Sequence, residues 1–196
     1  MFAKAGRHLA AGDVEKAQAV LDRIEAGGRG DHPGLIMYRV RLARQSGDDL
    51  GLMRYAALAY RTEPERAGSY LNYALALHRV GRDKDAETVL SDAAKNDPTA
   101  VDPHLYLAAW AEEAGQTSAA IDHLQAALDR APDNRKARYR LIVLSLAEQR
   151  LAEAEAALDA FETMFPGTYE GARQRVILCR AKGDLDGAVA PSYAAF

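Results

Sequence analysis

Five histidines and one cysteine are the side chains of this 196-residue chain best suited to hold a metal or attack a substrate. Their spacing argues against both. His8, His32, His78, His104 and His123 are scattered, with no two at the three- or four-residue interval at which a helix presents ligands to zinc. Cys179 has no second cysteine, so no intramolecular disulfide can form, which fits a reducing compartment. On the spacing of its neighbours it falls on the inner stripe of a helix, where a thiol behaves as a small buried apolar group. The stretch AGGRG at Ala26–Gly30 lacks the lysine and the strand-to-helix setting of a phosphate loop and reads as a flexible linker. Arg29–Gly30–Asp31 spells an integrin-type tripeptide, but nothing else about the chain is extracellular, and the match reads as coincidence. Acidic pairs such as Asp48–Asp49 and Glu112–Glu113 lie near helix ends and read as solvated surface. Catalysis needs groups that converge in a pocket, and no such set is legible. The expectation is a chain without a reaction of its own, binding neither cofactor nor metal.

Composition narrows the field further. With 48% hydrophobic and 27% charged residues, the chain has the balance of an ordinary water-exposed protein. A net charge of -3 lacks the basic footprint of a nucleic-acid binder. No apolar run approaches the roughly 20 residues that cross a bilayer, and the start MFAKAGRHLAAGD has no secretory apolar core. The location expected is cytoplasmic, or periplasmic if a signal segment has been removed.

Repetition sets the architecture. Pro64, Pro98, Pro132 and Pro166 stand 34 residues apart, as do Ala86, Ala120, Ala154 and Ala188, and Leu90, Leu124 and Leu158. Gly47, Gly81 and Gly115 keep the same step, Gln149 takes the next place and Gly183 resumes the series. Tyr70, Tyr73, Ala74 and Leu77 form one helical apolar stripe, and Ala86, Val89, Leu90, Ala93 and Ala94 form a second. Gly81 ends the first helix because it accepts a left-handed backbone. Pro98 stops the second by lacking an N–H and restricting the residue before it. Small residues at Ala74 and Ala86 let two antiparallel helices approach closely. Each period is therefore a helix hairpin.

A 34-residue helix-turn-helix unit with these residues resembles the tetratricopeptide repeat family over nearly the whole chain. The resemblance implies an all-α fold, a right-handed superhelical solenoid of antiparallel helix hairpins. It divides the chain into a partial unit at 1–32, full units at 33–66, 67–100, 101–134 and 135–168, and a partial unit at 169–196. Residues 67–100 and 101–134 are the best copies. Leu52 and Val40 in 33–66, and Gln149 and Ile142 in 135–168, stand where the family has small residues. Trp110 reads as packing between neighbouring hairpins.

In such a fold the first helix of each pair lines a concave groove. By register the groove residues are Tyr38, Arg41 and Arg44; Leu71, Asn72, Leu75 and Arg79; Asp102, Leu105, Tyr106, Ala109 and Glu112; Lys136, Tyr139, Arg140 and Val143; and Arg173, Ile177 and Arg180. Leucines and tyrosines would make an apolar floor, with arginines toward both ends. That mixture suits an extended or helical peptide of a protein partner bearing acidic groups. The two-carboxylate clamp by which some members of the family hold chaperone C-termini is matched only by Lys136 and Arg140, because Tyr106, Leu71 and Leu75 stand at its other places. The asparagine ladder of the O-linked N-acetylglucosamine transferase superhelix is reduced to Asn72. RNA reading, as in the related pentatricopeptide repeats, is a poor fit to a chain of net charge -3.

The favoured function is a non-catalytic scaffold that binds a partner segment in the groove. One alternative is a substrate-recruiting domain of a larger enzyme of glycosyltransferase, sulfotransferase or peptide hydroxylase type. Another is self-assembly into homo-oligomers through exposed terminal hairpins, since DGAVAPSYAAF, apolar and broken by Pro191, is no polar cap. The alanine- and arginine-rich composition suggests a bacterial source.

Overall fold

The computed structural model describes residues 1–30 and 32–184. It divides into two compact units, 1–98 and 99–196, and the division falls beside Pro98 of the proline comb. The second helix expected after Gly183, with Ala188 and Pro191, lies outside the described residues.

The first unit contains α1 (Phe2–Ala10), α2 (Val14–Ile24), α3 (Pro33–Ser46), α4 (Asp49–Thr62), α5 (Ala67–Arg79) and α6 (Asp83–Asn96). Helices adjacent in the chain pack in pairs, and α1 also touches α3. Ala5, Leu9, Ala17, Leu21 and Leu35 bury one cluster between α1, α2 and α3. Val40, Ala43, Leu52, Ala56 and Ala76 bury another between α3, α4 and α5. Between α2 and α3 the chain passes through Glu25–Arg29, where it kinks at Gly28, left-handed at φ +80°. α3 then starts at Pro33, a residue whose fixed φ suits a first helical position.

The second unit contains α7 (Asp102–Glu113), α8 (Thr117–Arg130), α9 (Arg135–Ala147), α10 (Leu151–Met164) and α11 (Tyr169–Lys182). Neighbours in the chain pack in pairs, and α9 touches α11. Its core runs from Ala108 and Ala120 through Leu124, Leu141 and Ile142 to Ala154, Leu158, Phe161 and Leu178. Among the described residues the fold is all-α.

The residue combs have structural causes. Ala17, Leu52, Ala86, Ala120 and Ala154 are fully buried where the two helices of a hairpin cross. Leu52 shows that this crossing tolerates a larger residue in one unit, and Val40 and Ile142 are likewise buried at the facing place. Each hairpin turn closes with an N–H donating back five residues: Asp13 to His8 O, Asp48 to Ala43 O, Arg82 to Leu77 O, Gln116 to Ala111 O and Arg150 to Ser145 O, and Asp184 after α11 donates to Cys179 O in the same way. That closure needs a left-handed residue just before the donor. Gly12, Gly47, Gly81, Gly115 and Gly183 supply it at φ between +71° and +77°, and Gln149 is held there at φ +57°. The turn geometry is thus imposed even where glycine is missing.

Candidate functional site

The first-helix residues of the two units are in different states. In the first unit, Tyr38, Arg41 and Arg44 of α3 and Asn72 of α5 line one open recess of about 250 Å³, together with Met37 and Val40. Four of the residues expected to face a partner therefore share one cavity. Arg41 and Arg44 are exposed and make no ion pair among the described residues. The Tyr38 ring is stacked on Phe2 at 5.9 Å, and Gly6 leaves room for it, since a Cβ there would stand 3.0 Å from the tyrosine oxygen. Asn72 Nδ2 donates to Gly68 O one turn back, which leaves its Oδ1 as the group open to a ligand. Leu71 and Leu75 are half-buried on the same helix. Arg79 is drawn away from the recess: its Nη1 donates to Asp49 Oδ1 at 3.2 Å, at the start of α4.

In the second unit about half of the predicted groove residues are engaged internally. Leu105 and Tyr139 pack against the core. The Tyr139 hydroxyl accepts a hydrogen bond from Gln174 Nε2 at 2.9 Å. Tyr106 lies edge-on to the buried Trp110 at 5.9 Å. Arg140 Nε donates to Glu112 Oε2 at 2.6 Å, and that bond raises the already high pKa of the guanidinium. A groove acid thus neutralises the groove arginine one repeat along. Lys136, Arg173, Ile177 and Arg180 are exposed, and the three cations make no ion pair among the described residues. Cys179 is half-buried, not buried as its register suggests; Gln174 and Leu178 take the fully covered places on α11.

Three arginines that sequence reasoning passed over occupy apolar places in the repeat. Arg39 stands in register with Tyr73 and Leu107, yet only 5% of it is exposed. Its Nη2 donates to Asp22 Oδ1 at 2.6 Å and to Glu25 Oε2 at 2.5 Å, tying α3 to α2. Burial alone would lower the Arg39 pKa, but these two bonds outweigh it and the net direction is upward. Four periods later, Arg175 of α11 repeats the arrangement with Asp159, at 2.5 Å, and Glu162 of α10. The bond to Glu162 is the main cause of the raised Arg175 pKa. Arg138 stands in register with Tyr70 and lies half-buried without any carboxylate partner. The legible signal was a charge on an apolar stripe, which requires either an internal counter-charge or a ligand.

The histidines remain apart except His104 and His123, whose rings are 5.9 Å apart between α7 and α8. Both ring nitrogens of His104 are buried without a hydrogen-bond partner. Burial, then Arg130 and His123, push its pKa down, so it is held neutral. Among the described residues no group of three His, Cys, Asp or Glu is placed to hold a metal, and no helix is long and apolar enough to cross a membrane.

A tetratricopeptide repeat family model matches residues 111–162, from the end of α7 through most of α10. The hairpins on either side repeat that geometry at the same period. Over residues 111–162 the chain matches the tetratricopeptide repeat. Solved proteins share the fold at low identity. The crystal structure of the MamA protein aligns with a TM-score of 0.69 and 22% identity, covering 85% of this chain and 91% of that one. The C-terminal part of a tetratricopeptide repeat protein from Cytophaga hutchinsonii aligns with a TM-score of 0.83 and 15% identity over 100% of this chain and 78% of that one. YrrB, a tetratricopeptide protein with an unusual peptide-binding site, gives 0.66 and 16% over 88% and 89%. Comparison with curated proteins gave no match. Five helix hairpins, α1–α2 to α9–α10, are complete in the described residues, and α11 follows them.

Proposed function

We propose that the protein is a non-catalytic interaction scaffold, and that the recess between α3 and α5 holds an acidic peptide segment of a protein partner. The observation that carries this reading is the pair Arg41 and Arg44, exposed, without counter-charges and beside a cavity whose other walls are Met37, Tyr38 and Val40. Paired cations such as Arg79 and Arg140 are already satisfied by Asp49 and Glu112, so they offer a ligand less. Two open guanidinium forks favour carboxylates, and the apolar wall favours an aliphatic or aromatic anchor between them. The Asn72 Oδ1 can accept a backbone N–H of the peptide. Peptide binding by YrrB on a related fold supports the same reading.

Fluorescence anisotropy with matched acidic and basic decapeptides, each carrying a central leucine or tyrosine, tests it. Wild type is expected to retain acidic peptides, and the double variant Arg41→Glu/Arg44→Glu to lose them by about tenfold or more. Equal binding of acidic peptides by both proteins, or preference for the basic set, refutes the proposal.

A further inference from the structure

In the second unit, α8, α9 and α10 line a recess of about 470 Å³ that no groove residue lines. Its floor is apolar, from Ile121, Leu141 and Ala157. Its polar groups are unevenly matched. Arg150 Nη2 donates to Ser118 Oγ at 2.9 Å and its Nη1 to Glu153 Oε2 at 3.3 Å, so that cation and that acid satisfy each other. Arg138 has no such partner. Its Nη2 donates to Pro132 O at 2.7 Å, its Nε is buried without an acceptor, and its Nη1 has no hydrogen bond. Asp122, also in the lining, is exposed and makes no ion pair among the described residues. Arg138 lies just past the first turn of α9, which contains no acid, at the end where the helix itself is electropositive. A half-buried guanidinium with a free N–H, over an apolar floor and inside a positive field, is satisfied by an anion that brings its own apolar stem.

We propose that this recess binds a carboxylate borne on a short aliphatic chain, its oxygens on Arg138 Nη1 and its methylenes against Ile121, Leu141 and Ala157. The carboxylate comes either from a free small molecule or from an acidic side chain of a protein. Asp122 repels it and so confines it to the α9 side. The site is independent of the α3–α5 recess, and either can fail without the other.

The test is an NMR titration of the full chain at low salt, following the arginine Nε–H signals. Sodium glutarate is the probe in one arm and the blocked peptide acetyl-Ala-Glu-Ala-amide in the other. A saturable shift of the Arg138 signal is expected in at least one arm. Response to glutarate alone names a free carboxylate, response to the peptide alone a protein side chain, and response to both the shared chemistry. Arg138→Gln, which lacks that signal and is followed through the backbone amides of Ile121, Leu141 and Ala157, is expected to weaken binding about tenfold while the spectrum stays folded, and Asp122→Asn to strengthen it. If neither probe moves the signal, if Arg138→Gln binds as wild type does, or if Asp122→Asn loses binding, the assignment is overturned.

Discussion

Arg39 offers the sharpest test of how these hairpins are joined, because removing the cation and removing its acids should have unequal effects. Its side chain is 6% exposed, whereas Asp22 and Glu25 are 53% and 42% exposed. Replacing Arg39 by alanine leaves two carboxylates that water can reach. The loss is two charge-assisted bonds to half-solvated acids plus the packing of the stem and its contact with Tyr55, about 2–3 kcal/mol in all. Neutralising the acids in Asp22→Asn/Glu25→Gln instead strands a buried guanidinium whose Nε already lacks an acceptor, at a cost of about 3–5 kcal/mol. Arg39→Leu installs the residue found in register at Leu107 and Leu141, and should lie within about 1 kcal/mol of wild type. In that leucine background the two acid substitutions should be nearly silent. Urea unfolding of wild type and these variants, with hydrogen exchange of α1 and α2 amides to localise the effect, measures the cycle. If the acid pair proves less costly to remove than the arginine, or remains costly in the Arg39→Leu background, then desolvation of the arginine does not govern this joint and the reasoning fails.

The other expectations can be read from single substitutions. Ala120→Leu should overpack the fully buried crossing of α7 and α8 and cost about 1–3 kcal/mol, seen as a lower urea midpoint; an unchanged midpoint would mean the crossing has room, as it does at Leu52. Gln149→Gly should stabilise the second unit by about 1 kcal/mol, because it relieves a left-handed backbone that only glycine adopts freely; thermal unfolding checks the sign. His104 is held neutral by burial beside Arg130 and His123, so its folded pKa lies below the unfolded value of 6.5. The unfolded chain then takes up the proton first, and stability present above that value should fall as the pH drops through the range below it. His104→Tyr, which installs the Tyr70 counterpart, should remove this part of the acid sensitivity, as measured by urea midpoints on either side of the transition.

Much of the fold was legible because its determinants are local and periodic. A helix stripe, a left-handed turn residue and a proline stop act within a few residues of themselves, so their 34-residue recurrence places every hairpin from α3 to α10. The register also says which side chains leave a first helix on the same side, which is why Tyr38, Arg41, Arg44 and Asn72 could be grouped before any coordinates. Register says nothing of which charges meet. Arg140 finds Glu112 28 residues away, Arg79 finds Asp49 30 away, and Arg39 reaches back 14 and 17 residues to α2 and the turn that continues it.

Those pairings depend on how long side chains bend across a helix interface, and their energies fall off within a few ångströms. Two arginines of the same type can therefore be a ligand-ready group and a satisfied strut, with nothing in the local sequence to separate them. The sequence by itself determined the repeat, its period and its hairpin joints. Only the tertiary packing decided which cations remain uncompensated at Arg41, Arg44 and Arg138, because compensation is a matter of distance between helices and not of position along the chain.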